Sequence, residues 1–211
     1  HRRRVLIRFL KSLSLLLFPF VFLTFSLQSK SRLGEYYFGF GLSSAGGGDG
    51  AELEGDMLNL SVNSPASDDA DFSLSYSYGK LESNSIQNTL WSIDLDYLVH
   101  FENLIESKGI FLPYIGGGIG YFNDDDGLRL SEDGTNWNLI AGTEILFTDS
   151  LSVGVGAKLF GLWSDFSEND MSLDLSVTWW INHIHGVALE YDYTLDREVD
   201  YLRLQYLYSW R

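Results

Sequence analysis

The stretch LSVGVGAKLFGLW, residues 151–163, decides the fold. Every second residue from Leu151 is apolar or small, namely Val153, Val155, Ala157, Leu159, Gly161 and Trp163. Between them stand Ser152, Gly154, Gly156, Lys158, Phe160 and Leu162. A period of two is the signature of a strand with two unlike faces, whereas a helix repeats its apolar side every 3.6 residues. The next stretch repeats the pattern. Met171, Leu173, Leu175, Val177, Trp179 and Ile181 alternate with Ser172, Asp174, Ser176, Thr178, Trp180 and Asn182. Trp91, Ile93, Leu95, Tyr97, Val99 and Phe101 alternate with Ser92, Asp94, Asp96, Leu98 and His100. Phe72, Leu74, Tyr76 and Tyr78 alternate with Ser73, Ser75 and Ser77. No window of similar length carries a helical stripe. The chain is expected to be all-β after Gly34.

Ten strands are expected, over 35–43, 52–62, 71–80, 88–101, 110–122, 135–147, 151–163, 171–182, 186–195 and 199–210. Eight strands is the alternative. Such strands exceed the usual 5–6 residues of globular sheets. An even count returns both chain ends to one side, as in single-chain bacterial outer-membrane barrels.

Alternation alone does not say which face points outward. A soluble barrel buries its apolar face, and a membrane barrel turns it to lipid. Three features favour lipid. The polar face is Ser, Gly, Asn and Asp with hardly any Lys, unlike a water-facing exterior. Aromatic residues gather toward strand ends, at Tyr36, Phe101, Tyr121, Phe122, Trp137, Phe147, Trp163 and Trp210, as interfacial girdles require. The connections 148–150 and 182–185 are tight, whereas 123–134 is long and acidic.

Composition narrows the function. The 211 residues include 14 Lys+Arg, 29 Asp+Glu and no Cys, for a net charge of −15. No disulfide, thiolate metal site or thiol nucleophile is available. Nucleic acid is excluded as a partner, because its affinity rests on Lys and Arg. Arg2, Arg3, Arg4, Arg8 and Lys11 precede an apolar run, Leu13–Leu27, and then a polar stretch with small residues. This describes a signal peptide over residues 1–29, with the barrel domain over 30–211. Removing five of the 14 bases leaves nine against 29 acids, a net −20.

The last strand places Leu202, Leu204, Tyr206, Tyr208 and Trp210 on one face before Arg211. The stretch Pro113-Tyr-Ile-Gly-Gly-Gly-Ile-Gly-Tyr121 is equally distinctive. On these two features the chain resembles the small bacterial outer-membrane β-barrels of the OmpA-like, porin-like kind. The resemblance implies an antiparallel, transmembrane, up-and-down barrel in the outer membrane, a monomer in contact with outer-membrane lipid. It also implies that Tyr206, Tyr208 and Trp210 form a C-terminal signal for the barrel-assembly machinery. Ending in Arg211, where the group closes on an aromatic, departs from that pattern.

If the faces are assigned correctly, the lumen holds Asp94, Asp96, Glu144, Lys158, Asp174, Glu190, Asp192 and Arg203. Such a network either plugs the barrel, with Lys158 and Arg203 neutralising acids, or lines a narrow cation-preferring passage. Ten strands leave an interior only slightly wider than side chains fill, so a plugged barrel with a structural or surface-interaction role is expected. Asp124, Asp125, Asp126, Glu132 and Asp133 form a candidate divalent-cation loop, since oxygen-rich loops bind calcium. Further acidic loops hold Asp165, Glu168 and Asp170, and Asp196, Glu198 and Asp200. His183 and His185 form at most a partial metal site in a tight turn. No cofactor is called for. A third reading, a barrel-embedded enzyme cleaving lipid or peptide, requires a His beside a carboxylate at the outer rim. His100, His183 and His185 are all expected at the opposite end.

Overall fold

In a computed structural model the described residues are 30–47, 53–83, 86–101, 111–124 and 133–210. Leu53, Ser83, Ile86, Asn88 and Asp124 are described for backbone alone. The expected signal peptide lies outside the described residues.

Ten antiparallel strands close into one up-and-down barrel. They are β1 (Tyr37–Gly47), β2 (Leu53–Ser67), β3 (Ala70–Ser83), β4 (Ile86–His100) and β5 (Phe111–Asp124). The circle continues with β6 (Gly134–Leu146), β7 (Leu151–Leu162), β8 (Asn169–Trp180), β9 (His185–Thr194) and β10 (Val199–Ser209). Each strand pairs with its sequence neighbours, and β10 returns to β1, with Tyr37 opposite Ser209 and Gly47 opposite Val199. Closure leaves no strand edge, and every ladder group finds a partner within the chain. That is the condition for a sheet in hydrocarbon, where no water can satisfy an open edge. The eight-stranded alternative is set aside.

The alternation resolves into an outward apolar face. Leu42, Ile115, Ile119, Leu139, Leu175 and Leu204 are each about half exposed. In water so broad an apolar belt would drive aggregation; facing lipid it is the expected surface. The inward partners are mostly Ser, Asn, Gly and acids. In β1, for example, Tyr37, Gly39, Gly41, Ser43 and Ala45 are buried, and Phe38, Phe40 and Leu42 are exposed.

We call the end with both termini the terminal end, and the opposite one the far end. Aromatic residues ring both. Trp91 packs on Tyr121 with centroids 5.4 Å apart, and Phe166 lies between Trp137 and Trp163 at the far end. Tyr36 packs on Trp210, and Phe72 on Tyr97, at the terminal end. Phe122 corrects the expected girdle. It sits one residue out of phase with Tyr121 and points inward, 1% exposed. The spacing of the strands does not separate the ends as expected either: at the terminal end β3 follows β2 after two residues and β5 follows β4 after ten, and at the far end β4 follows β3 after two and β6 follows β5 after nine.

The first strand starts later than its pattern suggests. Pairing begins at Tyr37, because residues 30–36 turn into the barrel.

Candidate functional site: the barrel lumen

The lumen is layered along its axis. Toward the far end many inward positions are apolar, beside the buried Asp170, Thr194 and Asn136. Ala45, Met57, Leu81, Leu90, Val199 and Tyr201 form one buried cluster, and Phe122, Phe160 and Leu162 another. Together they narrow that end with side chains of the strands themselves.

The middle belt is polar; seven of the eight residues expected in the lumen lie along it, and Glu144 stands nearer the terminal end. β5 supplies the room. Gly118 pairs with Asp96 on β4 and Asn138 on β6, and Gly120 pairs with Asp94 and Asn136. A side chain on the glycines would obstruct the row: a Cβ on Gly118 would meet Asp96 Oδ1 at 2.1 Å. With glycine there, the flanking side chains reach each other across β5. Asn138 Nδ2 donates to Asp96 Oδ1 at 2.8 Å, and Asn136 Nδ2 to Asp94 Oδ1 at 3.2 Å. Lys158 on β7 stands 3.9 Å from Asp94 and 4.0 Å from Asp96.

A second charged group lies on β9 and β10. Arg203 donates to Glu190 Oε2 at 2.8 Å and to Asp192 Oδ2 at 3.5 Å. Asp174 stands opposite Asp192 in the β8–β9 ladder. Facing these charges is a wall of small polar groups, including Ser61, Ser73 and Ser75. Within it Asn59 donates to Ser43 Oγ at 2.8 Å and accepts from Ser77 Oγ at 2.9 Å. Between the walls is a chamber of about 230 Å³. A polar chamber of that size holds several waters at about 30 Å³ each.

The terminal end is closed differently. Trp180, Tyr37, Ala188 and Leu207 cluster there, and residues 30–36 enter among them. Arg32 donates to Glu190 Oε1 and, at 3.3 Å, to Tyr37 Oη. Its backbone amide donates to Glu144, which also accepts from Ser31 Oγ and Ser152 Oγ. Lys30 Nζ lies 4.1 Å from the Trp180 ring centroid and donates to Ser209 Oγ at 3.0 Å. The third lumen cation, Arg32, was not apparent in the sequence, since it precedes the first alternating stretch. Asp71 was missed too. It is fully buried, accepts from the Gly34 amide at 2.9 Å and lies 3.5 Å from His100 Nε2.

The remaining sequence candidates scatter. Asp125, Asp126 and Glu132 lie outside the described residues, as does the side chain of Asp124. Asp133 accepts from Asn123 at 2.6 Å. Asp170, expected as a free loop acid, is buried and holds the 195–198 turn by accepting from the amides of Asp196 and Arg197. Asp165 accepts from the Ser167 amide and hydroxyl, which hold its carboxyl below the ordinary range. His185 bonds Tyr206 Oη at 2.5 Å and stacks on its ring. Among the described residues no three His, Cys, Asp or Glu side chains converge on a metal position. The His–carboxylate pair, His100 and Asp71, is at the terminal end, away from the far rim. Tyr206, Tyr208 and Trp210 project outward from the last strand.

A closed barrel, an apolar belt and two aromatic rings define an integral outer-membrane protein. The chain matches the outer membrane protein beta-barrel domain family over residues 14–179, most of its length, and belongs to that family. No curated protein sequence matches it. Among solved structures it is similar to the translocator domain of the autotransporter NalP from Neisseria meningitidis. There the identity is 10%, coverage is 86% of this chain and 90% of that one, and the TM-score is 0.49. Neisserial surface protein A is 12% identical, with coverage of 83% and 97% and a TM-score of 0.42. OprG from Pseudomonas aeruginosa is 11% identical, with coverage of 88% and 100% and a TM-score of 0.42.

Proposed function

We propose that this outer-membrane barrel is a non-conducting, non-catalytic monomer with a structural or surface-interaction role. The observation that supports this reading is the crowding of the lumen, by apolar side chains toward the far end and by residues 30–36 at the terminal end. Ion pairs and hydrogen bonds tie the charged belt around its chamber, which favours a structural network over a route for ions. The chain is exported by a signal peptide over residues 1–29, and residues 30–211 form the mature barrel. Its terminal end faces the periplasm, the side from which an exported chain inserts. The last strand, with Tyr206, Tyr208 and Trp210, engages the barrel-assembly machinery. The acidic far-end loops, including Asp124, Asp125, Asp126, Glu132 and Asp133, face outward and attract divalent cations.

Planar-bilayer recording of the purified protein tests this reading, with a boiled/unboiled gel shift verifying the fold. Silence is expected. Discrete steps that vanish when Asp94 and Asp96 become Asn would instead establish a narrow cation-preferring pore. Millimolar calcium is expected to raise the melting temperature; an unchanged melt removes the cation role of the loops.

A further inference from the structure

The terminal end is closed by a piece of chain that belongs to no strand. The wall it meets offers matched partners for a basic peptide. Glu190 takes the Arg32 guanidinium on one oxygen and Arg203 on the other. The Tyr37 ring lies 5.5 Å from that guanidinium, and the Trp180 ring 4.1 Å from the Lys30 ammonium. Glu144 receives the Ser31 hydroxyl and the Arg32 amide. The backbone of the segment is tied by scattered bonds and not by a ladder: Lys30 N to Asp149 O, Arg32 N to Glu144, Gly34 N to Asp71, Asn63 Nδ2 to Glu35 O and Trp210 N to Tyr36 O. A barrel strand is locked by ladders on both sides; this segment is held by side chains, and elements with few backbone bonds open first.

We propose that the periplasmic mouth of the lumen is a binding site for a Lys-Ser-Arg peptide, filled in cis by residues 30–32 as a removable stopper. Its withdrawal opens the chamber to the periplasm. The proposal rests on the far end remaining sealed, as the proposed function holds, so that the opened lumen is a blind pocket and not a channel. With the stopper out, Asp94, Asp174, Glu190 and Asp192 face Lys158 and Arg203 in the chamber, with Glu144 at its mouth; acids still outnumber bases, so the pocket selects a guanidinium or ammonium group. The fork of Glu190 and the ring of Tyr37 favour guanidinium, whose planar donors fit a carboxylate and stack on an aromatic face.

The absence of cysteine makes the test clean. Ser75→Cys, a nearly isosteric change on the chamber wall, gives the protein one thiol. In protein purified from outer membranes, that thiol is expected to react slowly with a water-soluble maleimide. Adding Arg32→Ala should speed the reaction by about tenfold or more, the change expected from deleting a charge-assisted contact that favours the closed state. Millimolar ethylguanidinium should slow it again, and tetramethylammonium, which cannot donate, should not. An unchanged rate in Arg32→Ala, or equal slowing by both cations, overturns the proposal. Should Arg32→Ala fail to give the gel-shifted folded form, Arg32→Lys keeps the charge and removes the fork. It too must label faster than the parent, or the proposal falls. Faster labelling accompanied by conductance steps would sustain the stopper and overturn the far-end seal.

Discussion

The two ends of the lumen are closed by different physics. The far end is sealed by strand residues such as Leu81, Leu90, Phe122 and Leu162, each 2% exposed or less. These contacts belong to the strands and part only if the barrel does. The terminal end has its own apolar strand cluster, Trp180, Tyr37, Ala188 and Leu207, but its mouth is filled by residues 30–36, which lie outside the ladders and are held by charges and hydrogen bonds. Closure there is a local equilibrium laid over a stable frame. A barrel can thus be rigid as a membrane body and still have one mouth whose state is adjustable.

Breaking the polar closure is expected to have the largest effect. Glu190→Leu leaves the guanidiniums of Arg32 and Arg203 beside each other without their shared carboxylate. Stripping one partner from a buried ionic group costs about 3–5 kcal/mol, readable as a lower urea midpoint in lipid vesicles. A loss below 1 kcal/mol, the range of exposed pairs, would show that water already compensates these charges. At the far end, Leu90→Ala should cost about 2–4 kcal/mol through lost burial and a residual cavity, with no dependence on salt. The next effect tests the belt between the ends. Gly118→Ala pushes a methyl into Asp96 and the Leu95 carbonyl, 2.1 and 2.4 Å away, for a loss of about 1–3 kcal/mol; a neutral result would mean that Asp96 swings aside freely.

The comparison sharpens in the double variant Leu90→Ala with Arg32→Ala. If the two closures are independent, their stability losses add within about 0.5 kcal/mol. A larger discrepancy would mean that the ends communicate through the belt. The smallest effect is outside the lumen. Asp165 owes its lowered pKa to Ser167, so Ser167→Ala should return it toward the ordinary range in an NMR titration. A depressed carboxylate stabilises the fold above its unfolded pKa and loses that contribution as pH falls through the folded one. Asp165 is fully exposed, so Ser167→Ala should leave the barrel's midpoint almost unchanged at neutral and at mildly acidic pH.

Much of the lumen could be read from the sequence because the strand period fixes the face of every residue once one is known. Asp94 and Asp96, Glu190 and Asp192 fall inward from parity alone. The same parity put Phe160 and Leu162 beside Lys158, yet an apolar residue on the polar face was not read as a seal. Recognising it requires knowing that several strands turn apolar at the same height, and height depends on register. Phe122 was misassigned because an aromatic at a strand end looks alike whether it faces lipid or lumen. Arg32 and Asp71 were missed for another reason. Neither is flanked by a pattern, and each finds its charged partner more than 25 positions away, Glu190 for one and His100 for the other.

By itself, then, the sequence determined an all-β chain with an apolar face for lipid, an even set of strands and a polar interior, since alternation and composition are local properties. Only the tertiary structure decided that ten strands close, which side chains share a level, and that residues 30–36 fold back into the mouth. Those outcomes depend on pairing register and on contacts across the barrel, and no local window of sequence contains them.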